Sequence, residues 1–253
     1  MAARKNNRGR RRNRGRFGFL YVLLSFILIV AAILVGSMVF FRVDQIKVSG
    51  HSRYTREEII AASGIRTGDN LFHLNGARVA PLIYDSLPYI RSASIRPVLP
   101  SGVTIVVTES AAAAAIEGPD AWYLMDARGK LVEAGPETLR GKAAPVVGLT
   151  PLAPTVGTPL SVPEKERIKF SALTGLLTAL ETHNMLEELT NIDLSSSSVL
   201  TFGFTSRFTV EMPLNSDFDY KVRSLEYVLG QLEVNETGLI DMTMEGETHF
   251  IPY

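Results

Sequence analysis

The longest apolar run of the sequence lies near the N-terminus, between Arg16 and Arg42. No residue from Phe17 to Phe41 is charged. As a helix this run would extend about 37 Å, at roughly 1.5 Å per residue, and the hydrocarbon core of a bilayer is about 30 Å thick. The pattern predicts a single transmembrane helix over residues 17–41. A cleaved signal peptide is the alternative, but the run is long for one and ends on two phenylalanines instead of small residues.

The residues that follow alternate between strand and helix patterns. Ile46 and Val48 alternate with polar neighbours, which predicts a strand. Thr55 and Glu58 have the spacing of a capping box, and Gly64 stands where a left-handed C-cap would end the helix. The pattern predicts a short strand and then a short helix.

A second helix and two strands are predicted before residue 110. The helical face has four apolar members: Val79, Leu82, Ile83 and Leu87. Asn75 is a candidate N-cap, and Pro81 either kinks this helix or lies in its first turn. Two alternating segments then flank a turn at residues 99–102. The predicted order is strand, helix, helix, strand, strand.

This segment resembles the POTRA domain of the FtsQ/DivIB family of bacterial cell-division proteins. The resemblance rests on VDQIKVSGHSRYTREEIIAASGIRTGDNLFHL and LPYIRSASIRPVLPSGVTIVVTES, just after the apolar run. One departure follows Glu109, where the family usually has arginine and then proline. Here Ser110 and five alanines, residues 111–115, take their place. The alanine run is either a special hinge or a tolerated strand or linker.

The remaining chain predicts hairpins and two helices. AWYLMD and KLVEA flank a turn at Gly129, and a proline-punctuated loop region containing PVVGL follows. Ser161 and Glu164 have the spacing of a second capping box before a leucine-rich helix. Alternating apolar residues predict a hairpin across Thr205 and Ser206. A second helix is predicted to begin near Phe218, and LIDMTM and THFIPY are predicted to form a last hairpin.

This part is similar to the β domain of the same family, mainly through WYLMDARGKL and NIDLS. The expected fold class is therefore α+β, with a transmembrane helix, a POTRA-like β-α-α-β-β domain and a mixed domain of helices and strands. The expected divisions are a basic tail at 1–16, the transmembrane helix at 17–41, the POTRA-like domain at 42–109 and the β domain at 110–253.

Charge is distributed unevenly although the formal net charge is zero. Basic residues dominate the tail, and those nearest the apolar run are Arg10, Arg11, Arg12, Arg14 and Arg16. The positive-inside tendency then predicts a cytoplasmic N-terminus and an extracytoplasmic location for residues 42–253. Arginines beside a membrane helix need no nucleic acid, and no aromatic residue precedes Phe17 for base stacking. We expect no nucleic-acid partner.

Candidate chemistry is sparse. The chain has no cysteine, and its four histidines lack the spacing of a metal site. No nucleophile, phosphate-loop or dinucleotide motif occurs. Glu187 and Glu188 are consecutive, so on a helix their carboxylates would point apart. We expect no enzyme activity, no cofactor, no metal and no small-molecule substrate.

The sequence instead offers sheet edges, which bind extended segments by adding a strand. The last predicted strand is the candidate, with partner-binding residues Thr248, His249, Phe250, Ile251 and Tyr253. The family resemblance implies a scaffold at the division septum, partners similar to FtsB/DivIC and FtsL, and support of septal peptidoglycan synthesis. It also implies a single-pass protein of the plasma membrane. The alternative is a POTRA-bearing transport or secretion component that binds extended client polypeptides.

Overall fold

The computed structural model describes residues 15–244 and 246–253. Its first element, α1, spans Gly15–Phe40. The stretch Gly18–Gly36 within α1 is long and apolar enough to cross a membrane, and none of it is buried against the rest of the chain. Arg10, Arg11, Arg12 and Arg14 lie outside the described residues, and Arg16 falls in the first turn of α1.

A three-stranded sheet follows, and we call residues 42–109 the small-sheet region. Its elements are β1 Gln45–Ser49, α2 Arg56–Ser63, α3 Gly76–Ser86, β2 Ile90–Val98 and β3 Gly102–Glu109. The strand order is β1-β3-β2, with β1 parallel and β2 antiparallel to β3. The β-α-α-β-β order predicted from the sequence is confirmed. Fully buried isoleucines from both helices and both long strands fill the core: Ile59, Ile83, Ile90 and Ile105.

Local signals in this region fold as expected, with one exception. Thr55 and Glu58 form the predicted capping box, and Gly64 has φ 68°, the left-handed conformation. The Asn75 side chain accepts a hydrogen bond from the N–H of Ala77, and α3 runs on through Pro81. Leu82 is the exception, because its side chain is largely exposed although the pattern placed it on the buried face.

A nine-stranded sheet occupies the rest of the chain, and we call residues 110–253 the large-sheet region. Its strands are β4 Ala114–Glu117, β5 Trp122–Met125, β6 Leu131–Gly135, β7 Ala144–Val147, β8 Leu189–Asp193, β9 Val199–Phe204, β10 Phe208–Pro213, β11 Gly238–Asp241 and β12 His249–Pro252. They lie in the order β12-β11-β10-β9-β8-β7-β4-β5-β6. Helices α4 Arg167–Thr182 and α5 Phe218–Leu229 pack on one face.

Two sequence expectations in this region are wrong. The sequence predicts a loop for the PVVGL piece, but its first three residues, 145–147, belong to β7, which pairs in parallel with both β4 and β8. Nearby prolines suggested a loop, yet Val146 is buried in the sheet. The second capping box does not form, since no side chain caps the short 3₁₀ turn Glu164–Glu166 or the helix after it. Glu166 instead turns inward and accepts the N–H of Thr150 at 2.7 Å.

The alanine run belongs to the large sheet. Ala114 and Ala115 are in β4, and Ala113 to Ala115 are all buried. Ser110, which departs from the family pattern, donates its hydroxyl to Asp126 at 2.9 Å and accepts a hydrogen bond from Arg91. The structure therefore supports the strand interpretation for the second half of the run, because buried residues paired in a sheet cannot serve as a free hinge.

The two regions share a packed junction. Tyr89 of the small-sheet region is buried in a cluster with Leu124 and Val132 of the large-sheet region. Its hydroxyl donates to Glu133 at 2.6 Å, and the guanidinium of Arg53 lies 3.7 Å from the centre of its ring. Burial together with the Glu133 carboxylate raises the pKa of Tyr89. A desolvated aromatic ring with a satisfied hydroxyl thus connects the two sheets.

Candidate partner-binding edge

Each sheet has two outer strands, and at three of these four edges other parts of the chain bind at least one backbone group of the strand. At β6 the backbone of Leu131 exchanges two hydrogen bonds with residues 157 and 158. At β2 the N–H of Ala93 donates to the hydroxyl of Tyr84 on α3. At β1 the carbonyl of Ile46 accepts from the guanidinium of Arg56. Covering an edge removes the unpaired groups that would bind another strand.

Strand β12 is the fourth edge, at the end of the nine-stranded sheet. It pairs on one side with β11 in antiparallel register. Among the described residues no strand or side chain covers its other side. This edge is therefore the most open backbone ladder of the large-sheet region.

The register determines which backbone groups of β12 face outward. Antiparallel pairs alternate between hydrogen-bonded and non-hydrogen-bonded positions. Because Tyr253 donates its N–H to the carbonyl of Thr237 at 3.0 Å, every second residue back along the strand, Ile251 and His249, is directed toward β11. The N–H and carbonyl of Phe250 consequently point away from the sheet, where an added strand would pair with them.

The side chains of β12 divide between two faces. Phe250 lies opposite the buried Ile240 and packs edge-on against Phe208, with ring centres 6.2 Å apart. Ile251 and Tyr253 lie on the other face and are exposed. The backbone edge is thus bordered by one anchored aromatic ring and two free apolar side chains.

Gly238 allows β12 to approach β11 closely. A Cβ at this position would lie 2.3 Å from the carbonyl oxygen of Ile251 and 2.7 Å from the ring of Phe250. Such distances are far inside normal van der Waals contact, so only glycine fits beside the strand as it stands.

Two basic side chains hold the segments that enter the last hairpin, and the sequence patterns did not indicate either. Lys221 on α5 is buried and donates to the carbonyls of Met242 and Met244, at 2.8 and 2.9 Å. Arg207 donates to the carbonyls of Glu233 and Glu236, just before β11. Hydrophobic periodicity identifies apolar faces of helices and strands. It cannot identify these two cations, because they bind backbone carbonyls that are more than 20 residues away in the sequence.

Hydrogen bonds also hold the turn after β11. Asp241 accepts the N–H of Thr243 at 2.8 Å, and the hydrogen bonds from Thr243 lower the pKa of this carboxyl. No group of three or more potential metal ligands occurs in the described part of the chain. The arrangement offers backbone donors and acceptors beside apolar side chains, which is the chemistry of strand addition.

Comparison with known proteins supports a division role. Residues 41–110 match the family model described as POTRA domain, FtsQ-type. The chain is 23% identical over 207 residues to cell division protein DivIB of Clostridium acetobutylicum, covering 82% of this chain and 81% of that relative.

Two shorter matches are to proteins named FtsQ. Identity is 29% over 118 residues to cell division protein FtsQ of Corynebacterium glutamicum, covering 45% of this chain and 52% of the relative. It is 36% over 107 residues to cell division protein FtsQ of Syntrophotalea carbinolica, covering 41% and 37%. The similarity therefore extends along most of the chain in DivIB and along part of it in the FtsQ proteins.

Proposed function

Because this chain carries an FtsQ-type POTRA domain and is a relative of the DivIB and FtsQ cell division proteins, we propose that it is a membrane-anchored scaffold of the bacterial division septum. In this proposal α1 spans the plasma membrane once, the basic tail stays in the cytoplasm and both sheet regions lie outside. The protein is non-enzymatic and supports septal peptidoglycan synthesis by recruiting other division proteins.

The observation that carries the proposal is the open edge of β12. The other three outer strands have backbone groups satisfied from within the chain, and β12 keeps the outward N–H and carbonyl of Phe250. A partner strand would pair with these groups and bury Ile251 or Tyr253 beside them. The family resemblance suggests that the partners are single-pass proteins similar to FtsB/DivIC and FtsL.

Crosslinking in intact membranes followed by co-purification tests this function. We expect the full chain to recover a small, fixed set of single-pass division proteins, and a variant lacking residues 248–253 to lose them. A recovered set of varied, extended client polypeptides would favour the transport alternative instead. Undiminished recovery by the truncated variant would move the docking edge elsewhere, with β1 as the next candidate.

Tyr253 allows a finer test with a matched control. Tyr253→Ala removes an exposed aromatic side chain beside the open edge, and Tyr227→Ala removes a similarly exposed one on α5. If Tyr253 is an anchor, its loss weakens partner binding by about 1–2 kcal/mol. The Tyr227 variant should bind as the unmodified chain does, and equal effects from both changes would argue against an anchor.

A further inference from the structure

The end of the small-sheet region nearest α1 carries an unusual group of exposed apolar side chains. Phe40 ends α1, and Phe72 lies in the short 3₁₀ turn Leu71–His73. Val98 is the last residue of β2, and Leu99 begins the turn between β2 and β3. Each is at least half exposed. We call Phe72, Val98 and Leu99 the apolar turn residues.

Both turns are hydrogen-bonded to the residues that leave α1. On one side, Leu71 donates its N–H to the carbonyl of Phe41 at 2.9 Å, and Val43 donates to Asp69 at 2.8 Å. On the other side, Asp44 donates to the carbonyl of Ser101 at 2.8 Å. The two turns therefore flank residues 41–45, immediately beyond the helix.

Phe72 is also fixed to this exit by ring packing. Its ring lies edge-on against Phe41, with centres 4.9 Å apart. The depth of Phe41 relative to a bilayer therefore sets the depth of Phe72 to within a few ångströms.

The length of the apolar run indicates how deep its last residues, including Phe41, lie in the bilayer. The uncharged stretch of 17–41 would extend about 37 Å, which exceeds a hydrocarbon core of about 30 Å but not the roughly 40–45 Å that includes the headgroups. Its last residues then lie in the interfacial layer, where aromatic and aliphatic side chains of peripheral elements insert.

We propose that the apolar turn residues form a second membrane contact, so that the small-sheet region rests on the bilayer through the two turns that flank the exit of α1. The inference rests on the proposed membrane anchoring by α1. A lipid surface is the occupant because the turns are continuous with the spanning helix, both covalently and through backbone hydrogen bonds. The contact would limit tilting of the small-sheet region about residues 41–44.

The absence of cysteine makes site-specific labelling direct. Four single-cysteine variants of the full chain, Phe72→Cys, Leu99→Cys, Leu28→Cys and Ile168→Cys, are labelled with a polarity-sensitive fluorophore. They are then reconstituted into phosphatidylcholine–phosphatidylglycerol vesicles. Leu28 reports on α1, and Ile168 is an exposed apolar residue of the large-sheet region that serves as the control. Quenching by nitroxide lipids labelled at shallow and at deep positions of the acyl chain, and by aqueous iodide, is measured for each.

The expected result is lipid quenching at positions 28, 72 and 99, with iodide quenching at 72 and 99 several-fold lower than at 168. Iodide quenching at 72 and 99 equal to that at 168, with position 28 still quenched by lipid, would overturn the second contact and leave the anchor intact. Shielding from iodide without lipid quenching would mean that protein covers the turns, which also overturns it. Loss of lipid quenching at position 28 would overturn the proposed anchoring and this inference together.

Discussion

Gly64 is a single residue whose backbone conformation, expected from the sequence, affects the stability of the fold. Its φ of 68° is left-handed, and a Cβ there would find its nearest neighbour, a methyl of Leu82, at 3.9 Å. Space is therefore available, and backbone strain alone opposes a side chain.

Gly64→Val should lower the free energy of unfolding of the small-sheet region by about 1–2 kcal/mol, the cost of placing an L-residue in this conformation. Amide hydrogen exchange at the end of α2 measures this loss of stability. Gly64→Asn is the control, because asparagine tolerates positive φ and should cost less. A valine variant as stable as the asparagine variant would contradict the strain argument.

Glu109 is the second residue whose role depends on backbone groups. Its carboxylate accepts the N–H groups of Ser52, Arg53 and Tyr54 at 3.0–3.3 Å, and the Ser52 hydroxyl at 2.6 Å. Burial raises the pKa of this carboxyl, but the hydrogen bonds outweigh burial and hold the pKa below its ordinary value. The end of β3 thus holds the loop that leads into α2.

Glu109→Gln should destabilise this loop by about 1–2 kcal/mol at neutral pH, because hydrogen bonds to a charged acceptor are replaced by weaker ones. A carboxyl whose folded pKa is lowered stabilises the fold above its unfolded pKa and loses that contribution as pH falls through the folded value. The difference between variant and unmodified chain should therefore shrink below about pH 4.5.

Amide exchange of residues 52–54 across pH is the measurement for Glu109. Glu117→Gln, at an exposed carboxylate at the end of β4, is the control. A difference that persists unchanged to low pH would show that the Gln variant acts through packing and not through charge.

At the scale of elements, the sequence predicted best where the signal is local. The capping box of α2, the Asn75 cap and the alternating faces of β9 and β10 all depend on neighbours within a few residues, and all formed. Strand β7 was missed because its pairing with β4 and β8 is parallel and comes from distant parts of the chain. Its sequence alone, which is short and contains Pro145, carries the pattern of a loop.

The candidate edge was predictable in part. The position of the last strand could be read from the hairpin pattern, and the structure places it at the end of the sheet. The direction of each backbone group could not be read, because it depends on the register with β11. For the same reason a proline at His249 would break the ladder inside the sheet, whereas one at Phe250 acts on the outer side.

Phe250→Pro and Phe250→Ala form a matched pair for the edge. Both remove the ring that packs on Phe208, and only proline also removes the outward N–H. If a partner strand pairs with β12, the proline variant should bind several-fold more weakly than the alanine variant. Equal partner affinity of the two variants in a pull-down or titration would place the binding surface elsewhere, because it would show that the partner does not accept a hydrogen bond from the N–H of residue 250.

At the scale of the whole molecule, the junction between the small-sheet region and the large-sheet region joins the two through hydrogen bonds and ion pairs. Glu133 receives the Tyr89 hydroxyl and pairs with Arg53 and Lys142, at 3.1 and 3.2 Å. The hydrogen bond from Tyr89 is the main cause that lowers the pKa of Glu133. Arg91 of β2 forms an ion pair with Glu181 of α4, which is a second polar contact between the two regions.

Tyr89→Phe should weaken this junction by about 1–2 kcal/mol, because it removes the hydrogen bond from the hydroxyl to the Glu133 carboxylate but keeps the ring beneath Arg53. A double-mutant cycle with Glu133→Gln measures the coupling energy between the hydroxyl and the carboxylate. In addition, the distance between two spin labels, one on an introduced cysteine in each region, should be more broadly distributed in the Tyr89→Phe variant than with Tyr89 in place. Tyr227→Phe, at an exposed tyrosine of α5, is the control. Additive effects of the two junction changes would mean that the hydroxyl and carboxylate are not energetically coupled.

Topology decides whether any of these surfaces can meet a partner outside the cytoplasm. The Arg-rich tail, the uncharged run and α1 predict that the N-terminus stays in the cytoplasm and that Tyr253 lies outside. A reporter that functions only outside the cytoplasm, fused after Tyr253, should be active, and a cytoplasm-specific reporter at the same position should be silent. As the control, reversing Arg10, Arg11, Arg12, Arg14 and Arg16 to glutamate removes most of the positive charge beside α1 and should reduce the activity of the outside reporter. Activity of the cytoplasmic reporter in the unmodified chain would refute the topology, because both sheet regions would then lie on the side of the membrane where septal peptidoglycan is not assembled.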